Sequence, residues 1–128
     1  MIANLMTEEI LATDFCDGSQ HDFRLFKNSC RAISPGTCIL ADAGYQGLAA
    51  LHPNSKTPAK NTKLHPLSQE QKTSNRALSR KRIRIENIIR RLKIFRILSE
   101  RYRNRRKRFG LRFNLIAAIC NLELNTAR

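Results

Sequence analysis

The chain has 128 residues, of which 24 are Lys or Arg and 10 are Asp or Glu, so its formal net charge is +14. Hydrophobic residues make up 41%, which supports a modest core and argues against a disordered basic tail. No apolar stretch is long enough to cross a bilayer, and the N-terminus carries Glu8 and Glu9 without a basic region, so we expect neither a membrane protein nor a secretory signal. The composition predicts a cytoplasmic domain, or part of one, with an acidic partner.

The first 50 residues predict a strand, a helix and a second strand. Residues 9–15 are a short apolar run that ends in a turn, and residues 21–33 predict a capped helix that Pro35 ends. Residues 37–41 are short, apolar and partly β-branched, and predict a buried strand that stops at Asp42. Together these elements predict a βαβ-like unit, in which the sequence does not specify the direction of strand pairing.

The remaining residues predict a loop and then a basic helical part. Residues 51–67 contain three prolines and predict a loop with one short edge strand around residues 56–60. Ser68 and Gln71 have the spacing of a capping box at the start of a long helix, which we expect to end between residues 97 and 103. The apolar positions of that helix are Leu78, Ile85, Ile88, Ile89, Leu92 and Phe95. A second amphipathic helix is predicted over residues 109–122, with Leu111, Leu115, Ile116, Ile119 and Leu122 as its apolar positions.

The positive charge is concentrated in one segment. Residues 72–112 contain 17 Lys and Arg against two acids, Glu86 and Glu100, whereas the rest of the chain has 7 basic and 8 acidic residues. Such a density of cations predicts a polyanionic partner, and because the cations surround the apolar positions, DNA or RNA is favoured over a membrane surface.

Two carboxylates stand out, and each has a structural and a functional interpretation. Glu86 lies four residues from Arg82 and from Arg90 and seven before Lys93, so it predicts helical ion pairs. Asp42 ends a predicted strand before a glycine turn, which its side chain could cap. Alternatively, the two carboxylates hold Mg²⁺ through hard oxygen ligands while neighbouring cations hold a nucleic acid.

The four cysteines, in contrast, do not predict a metal site. They lack a C-x-x-C pair, and the three histidines do not complete a zinc motif. We expect free thiols.

Four stretches carry a family resemblance when they are taken in order. They are Gly18-Ser19-Gln20-His21-Asp22, which resembles a G-S-x-H-D segment; Asp42-Ala43-Gly44-Tyr45-Gln46-Gly47, which resembles D-x-G-Y-x-G; Pro58-Ala59-Lys60, which resembles P-x-K; and Arg82-x₃-Glu86-x₆-Lys93, which resembles an Arg-Glu-Lys signature. Together they resemble the C-terminal part of an insertion-sequence transposase of the DDE superfamily, whose catalytic core is ribonuclease-H-like.

The resemblance implies a fold, a site and a set of partners. The fold would be α/β, a partial ribonuclease-H-like core with a short sheet, a long basic helix and a C-terminal helix. Asp42 and Glu86 would be catalytic and metal-binding residues, with Mg²⁺ or Mn²⁺ as the cofactor. The partner would be DNA at insertion-sequence ends in the bacterial nucleoid, contacted by Lys60, Arg82, Arg90, Lys93, Arg103, Arg105 and Arg106.

The chain departs from the family pattern at two points. Ser79 stands where the signature has Tyr, and the strand that carries the first catalytic Asp has no counterpart. We therefore expect the terminal part of a catalytic domain, from a broken gene or an internal start at Met1 or Met6, divided into residues 1–50, 51–67 and 68–128. We expect it to be inactive alone. The alternatives are a non-catalytic DNA-binding fragment that interferes with a full-length transposase, and a basic RNA-binding protein.

Overall fold

A computed structural model describes residues 1–16, 18–29, 32–101 and 106–127. These residues form a mixed α/β structure of short strands and helices. The chain divides into two compact units, one made of Met1–Phe15 and Lys81–Arg128 and the other of Cys16–Arg80. Each unit is described by itself.

The first unit begins with a small antiparallel hairpin. Strand β1 (Ile2–Ala3) pairs with strand β2 (Ile10–Ala12), which places Ile2 opposite Ala12. In the connecting turn the Asn4 side chain accepts a hydrogen bond from the Met6 N–H at 2.8 Å, and Glu8 has the left-handed φ of 60°. The predicted strand over residues 9–15 is confirmed in shorter form, whereas the sequence did not predict β1.

Three helices complete this unit within its described residues. They are the second part of α3 (Gln69–Lys93), the short α4 (Arg96–Ser99) and α5 (Phe109–Thr126), which follows a 3-10 turn at Arg106–Arg108. The core contains Ile10, Ile88, Leu92, Ile116, Ala117 and Cys120, with Ile85, Phe95 and Phe113 packed against it. Of the apolar positions predicted for the long helix, Ile85, Ile88, Leu92 and Phe95 therefore do face this core, although Phe95 lies beyond the end of α3.

The long helix α3 ends earlier than predicted. Instead of continuing to residues 97–103 it stops at Lys93, where the Phe95 N–H bonds the Leu92 carbonyl at 3.2 Å and Phe95 adopts an extended backbone. Neither Gly nor Pro marks this break in the sequence. Because Phe95 packs against the core, tertiary packing rather than a local signal accounts for where the helix ends.

Helix α5 is confirmed, but its buried face differs from the predicted one. The helix buries Ile116, Ala117 and Cys120, whereas Leu111, Leu115 and Leu122 are 70%, 61% and 64% exposed. Apolar residues surround most of this helix, so periodicity alone did not select the face that packs.

The second unit contains a short parallel pair. Strand β3 (Ile39–Leu40) is parallel to β4 (Ser55–Lys56), with Ile39 opposite Ser55, and helix α2 (Leu48–Leu51) lies between them in the chain. The two strands of the predicted βαβ-like unit do not pair with each other in the described residues, because β2 pairs with β1 and β3 with β4. The edge strand predicted around residues 56–60 lies slightly earlier, at β4.

Two helix starts in this unit follow the rules of capping. Helix α1 (Asp22–Asn28) is capped by His21, whose Nδ1 accepts from the Phe23 N–H at 3.2 Å; it ends earlier than the predicted residue 33. The predicted capping box at the start of α3 is confirmed: the Gln71 N–H donates to Ser68 Oγ at 3.2 Å, and the Ser68 N–H donates to Gln71 Oε1 at 3.0 Å. Among the described residues, no helix combines the length and apolar character needed to span a membrane.

Candidate functional site

Asp42 lies directly after the parallel strand β3. The Ala41 N–H still bonds the Lys56 carbonyl at 3.1 Å, and the chain then turns into a 3-10 segment, Ala43–Tyr45. The exposed Asp42 carboxylate caps that segment, accepting from the Ala43 N–H at 2.7 Å. The turn-capping interpretation is thus confirmed. Asp42 also lies at the carboxyl end of a parallel strand, where α/β sheets commonly place ligand-binding groups.

The turn after Asp42 packs against helix α1. The Tyr45 ring lies 5.6 Å from the Phe23 ring and 6.2 Å from the Phe26 ring, measured between centroids. Burial raises the pKa of the Tyr45 phenol, and the negative charges of Asp22 and Asp42 raise it further. The G-S-x-H-D and D-x-G-Y-x-G segments, which are separate in sequence, therefore meet in space.

Two amide side chains join this turn to the P-x-K segment and to helix α3. Gln46 Nε2 donates to the carbonyl of Ala43 at 3.2 Å and to that of Pro58 at 3.1 Å. Asn75 makes a pair of bonds with the Ala59 backbone: its Oδ1 accepts from the N–H and its Nδ2 donates to the carbonyl, both at 3.0 Å. The exposed Lys60 follows directly. Sequence reasoning missed Gln46 and Asn75, because no helix or strand period marks an amide that bonds a loop.

Glu86 lies in the other compact unit, on the exposed face of α3. Its Oε1 is 3.6 Å from Arg82 Nε, and both side chains are more than half exposed. The predicted ion pair with Arg82 is thus confirmed, and its contribution to folding is about 0.3–0.5 kcal/mol. Arg90 and Lys93 are exposed on the same helix.

Two other cations of α3 have structural partners within the same unit. Arg84 donates to the Leu5 carbonyl at 3.0 Å, and Arg91 lies 3.5 Å from the Glu8 carboxylate. Both contacts attach the hairpin turn to the helix. The sequence treated these arginines only as members of a charged run, although their contacts distinguish them from Arg90 and Lys93.

Several predicted residues cannot be placed in a site. Arg103 and Arg105 lie outside the described residues, as does the side chain of Arg106, whose backbone begins the 3-10 turn before α5. Within the described ranges, no three His, Cys, Asp or Glu side chains come together in a way that could hold a metal ion. The described residues therefore do not form a complete metal site.

The cysteines of the described residues are free thiols. Cys16 is half-buried, Cys38 is exposed and Cys120 is buried, while Cys30 lies outside the described residues. Burial and the nearby Glu123 carboxylate raise the pKa of the Cys120 thiol, against an opposing effect of Arg91. Cys120 is thus a buried core residue whose raised pKa disfavours the reactive thiolate form.

Comparison with known proteins gives one consistent result. The sequence profile of the family described as the transposase DDE domain matches residues 1–121. The chain is 49% identical over 124 residues to a protein of Microchaete diplosiphon named "Probable transposase for insertion sequence element IS702". The match covers 97% of this chain and 45% of that relative, so the chain spans less than half of the relative's length. No solved structure shows a significant match.

Proposed function

Because this chain belongs to the transposase DDE-domain family, we propose that it is part of a protein that cleaves DNA and joins DNA strands during transposition of an insertion sequence. Asp42 and Glu86 are the two carboxylates that we assign to the catalytic and metal-binding set, within a ribonuclease-H-like core. The observation that carries the assignment is the exposed position of Asp42 at the carboxyl end of β3, in a turn that Gln46 fixes to the P-x-K segment.

The cofactor of the complete site would be Mg²⁺ or Mn²⁺, which prefer carboxylate oxygens. A divalent ion bound there would polarise a phosphodiester and supply hydroxide. The described residues of this chain supply no three clustered ligands, so the 128 residues by themselves are expected to bind the ion weakly and not to turn over DNA.

DNA binding is the function that the chain can perform with its own residues. Helix α3 carries nine Lys and Arg against two Glu. Lys60, Arg82, Arg90 and Lys93 are exposed, and we assign them, with Arg103, Arg105 and Arg106, to the DNA contact. Cations of this kind bind phosphates and release counterions, which gives affinity with little dependence on sequence. Binding to chromosomal DNA would place the chain at the bacterial nucleoid.

A binding titration separates DNA contact from folding effects. We expect affinity for duplex DNA to fall with salt with a logarithmic slope of about 0.9 per phosphate contact. The triple variant Arg82→Gln/Arg90→Gln/Lys93→Gln should reduce that slope by about 2–3, whereas a control with equal charge loss, Arg24→Gln/Lys56→Gln/Lys63→Gln, should reduce it by less than about 1. Equal losses in the two variants would contradict the assignment. A preference for structured RNA over duplex DNA in competition would favour the RNA-binding alternative.

A cleavage assay tests the claim that these residues alone are inactive. The substrate is duplex DNA with the ends of the insertion sequence, incubated with Mg²⁺ or Mn²⁺. We expect no cleavage above background. Robust cleavage that Asp42→Ala and Glu86→Ala each abolish would overturn the claim of inactivity and support the site assignment.

The second candidate function is interference with an intact transposase. It is favoured by the combination of a basic helix with an incomplete ligand set. Added to an intact transposase of this family, the 128-residue chain should lower cleavage by competing for DNA ends. The triple α3 variant described above should lose this inhibition. If cleavage by the intact transposase is undiminished when the 128-residue chain is present at a concentration that saturates the DNA ends, the proposal of interference is contradicted.

A further inference from the structure

Helix α5 has a packed face and an uncovered apolar face. Ile116, Ala117 and Cys120 face the core of their unit. The opposite face consists of apolar side chains that remain exposed: Leu111 at 70%, Leu115 at 61%, Ile119 at 37% and Leu122 at 64%, together with exposed Ala118. A contiguous patch of exposed apolar side chains marks an interaction surface more often than isolated apolar side chains do.

The spacing of this face fits a helical partner. Leu111, Leu115, Ala118 and Leu122 are separated by four, three and four residues, which is the d-a-d-a pattern of a coiled-coil seam. Within α5 the charged residues are one Arg and one Glu, whereas α3 carries nine cations against two acids. Helix α5 has too little positive charge to bind a nucleic acid well. An apolar helix is therefore the partner that fits the exposed face of α5.

We propose that this face binds the same face of a second copy of the chain, with the two α5 helices antiparallel. In antiparallel coiled coils, a positions pack against d positions of the partner. Here that arrangement places Leu111 against Leu122 of the second copy, and Leu115 against its Ala118, in four layers around a two-fold axis. The pattern is therefore complementary to itself, as an isologous interface requires.

Charge at the edge of the seam supports the antiparallel direction. Arg112 and Glu123 lie on the same flank of α5, about 100° and 120° around the helix from Leu111. In the antiparallel pair, Arg112 of one copy comes within about one helical turn of Glu123 of the other, and the reverse contact forms as well. A parallel pair would instead align like charges at each level.

The expected dimer is weak but specific. Four layers bury less area than a standard interface of about 1,600 Å², which disfavours tight association. The helix is already formed by packing of its other face, so little ordering entropy opposes the contact. Each copy carries +14, so repulsion opposes dimerisation at low salt, and salt should strengthen the dimer while it weakens DNA binding.

Sedimentation of the full 128-residue chain tests the proposal. We expect a monomer–dimer equilibrium over about 10–200 µM in about 0.5 M NaCl. Leu115→Lys should weaken dimerisation by about 30-fold or more, because it buries a charge twice in the two-fold interface. The control Leu64→Lys, at a leucine that is 86% exposed on another segment, should leave the equilibrium unchanged. A monomer throughout this range, or equal effects of the two variants, would overturn the proposal.

Disulfide trapping tests the direction of the pair. In a background with Cys16→Ser, Cys30→Ser and Cys38→Ser, one preparation carries Leu115→Cys and another carries Ala118→Cys. The antiparallel pair predicts that mixing the two gives the main cross-linked product, with little product from either alone. Cross-linking of Leu115→Cys chiefly with itself would contradict the antiparallel arrangement.

The alternative is that the remainder of a complete family member covers the exposed apolar face of α5. A full-length relative tests this alternative. If the 128-residue chain stays monomeric and the corresponding leucine-to-lysine change in a full-length relative lowers that protein's unfolding temperature, the face is an intrachain contact and the proposal fails. Because the readout is association of the chain in the absence of DNA and metal, its result does not depend on the proposed function.

Discussion

The side-chain amide of Asn121 pairs with the backbone of Ile10 as a neighbouring strand would. Its Oδ1 accepts from the Ile10 N–H at 2.8 Å and its Nδ2 donates to the Ile10 carbonyl at 2.9 Å. One helical residue thus covers part of the second edge of β2, opposite the edge that pairs with β1. Asn114, seven residues earlier on the same helix face, bonds the Thr13 hydroxyl beside it. The hairpin is therefore attached to α5 by polar side chains as well as by its buried core residue.

Replacement of Asn121 should destabilise this unit. Asn121→Ala leaves two partly buried backbone groups of Ile10 without their partner, and such groups cost about 1–3 kcal/mol. The measurement is the free energy of unfolding from urea denaturation monitored by circular dichroism. The control Asn125→Ala, an exposed position one turn later, should change it by less than about 0.5 kcal/mol. Similar losses for both would show that the amide pair adds little.

Removal of the capping box should shorten helix α3 at its start. Ser68→Ala loses the bond to the Gln71 N–H and should cost about 1 kcal/mol of unfolding free energy. Hydrogen exchange of the first-turn amides should accelerate in the same variant, which locates the loss. The control Ser74→Ala lies at an exposed position inside the helix and should be neutral or stabilising, because Ala has the higher helix propensity. A destabilised Ser74→Ala protein would contradict the explanation by capping.

Local chemistry made some of these elements predictable. The start of α3 is encoded by Ser68 and Gln71, two residues that bond each other, and its buried positions by a clear apolar period. Motif order alone was enough to propose Asp42 and Glu86 as site residues. Their alternative roles, a turn cap and a helical ion pair, could also be derived from spacing, because both involve near neighbours in the chain.

The rest depends on contacts between distant residues. The end of α3 is determined by the core position of Phe95, and the orientation of α5 by contacts of its buried face and of Asn121 with β2. The hydrogen bonds between the Asn121 amide and Ile10 join residues that are 111 positions apart, and such a contact leaves no periodic signal in the sequence. In addition, β1 has only two residues, too few for an alternating pattern to be recognised.

Tyr45 should make the second unit sensitive to alkaline pH. Its pKa is raised in the folded chain above the ordinary value of about 10, chiefly by burial and also by Asp22 and Asp42. The folded state thus holds the phenol proton more tightly than the unfolded state. Its contribution to stability is complete below pH of about 10 and is lost as pH rises through the folded pKa. Tyr45→Phe should therefore flatten the decline of the unfolding free energy in that range.

Phenolate absorbance checks the same shift directly. The chain has two tyrosines, so Tyr102→Phe leaves Tyr45 as the one chromophore. Its apparent pKa should lie above about 10 and should fall when Asp22→Asn is added, because one of the raising charges is then removed. A titration midpoint at or below the ordinary value would contradict the proximity of Tyr45 to these carboxylates.

Glu86 can be changed with little effect on folding, and this separates its structural from its functional interpretation. The Arg82–Glu86 pair has both side chains more than half exposed, so Glu86→Gln should change the unfolding free energy by less than about 0.5 kcal/mol. The same change at Glu100, which forms an equivalent exposed i,i+4 pair with Arg96, is a matched control and should be equally mild. A loss above about 1 kcal/mol in Glu86→Gln alone would make Glu86 a structural residue.

Replacement of Glu86 should also change DNA binding. Glu86 lies among Arg82, Arg90 and Lys93, the cations assigned to the DNA contact, so loss of its negative charge should tighten binding at low salt. Glu100 is followed closely by Arg103, Arg105 and Arg106, which are also assigned to the DNA contact, so the control for binding is Glu70→Gln. Glu70 lies in the first turn of α3, twelve residues before Arg82, and its replacement should have the smaller effect. Anisotropy titrations at matched salt concentrations measure the difference. If both variants bind DNA as the unmodified chain does, the surface around Glu86 is not the one that contacts DNA, and the assignment of the three cations fails with it.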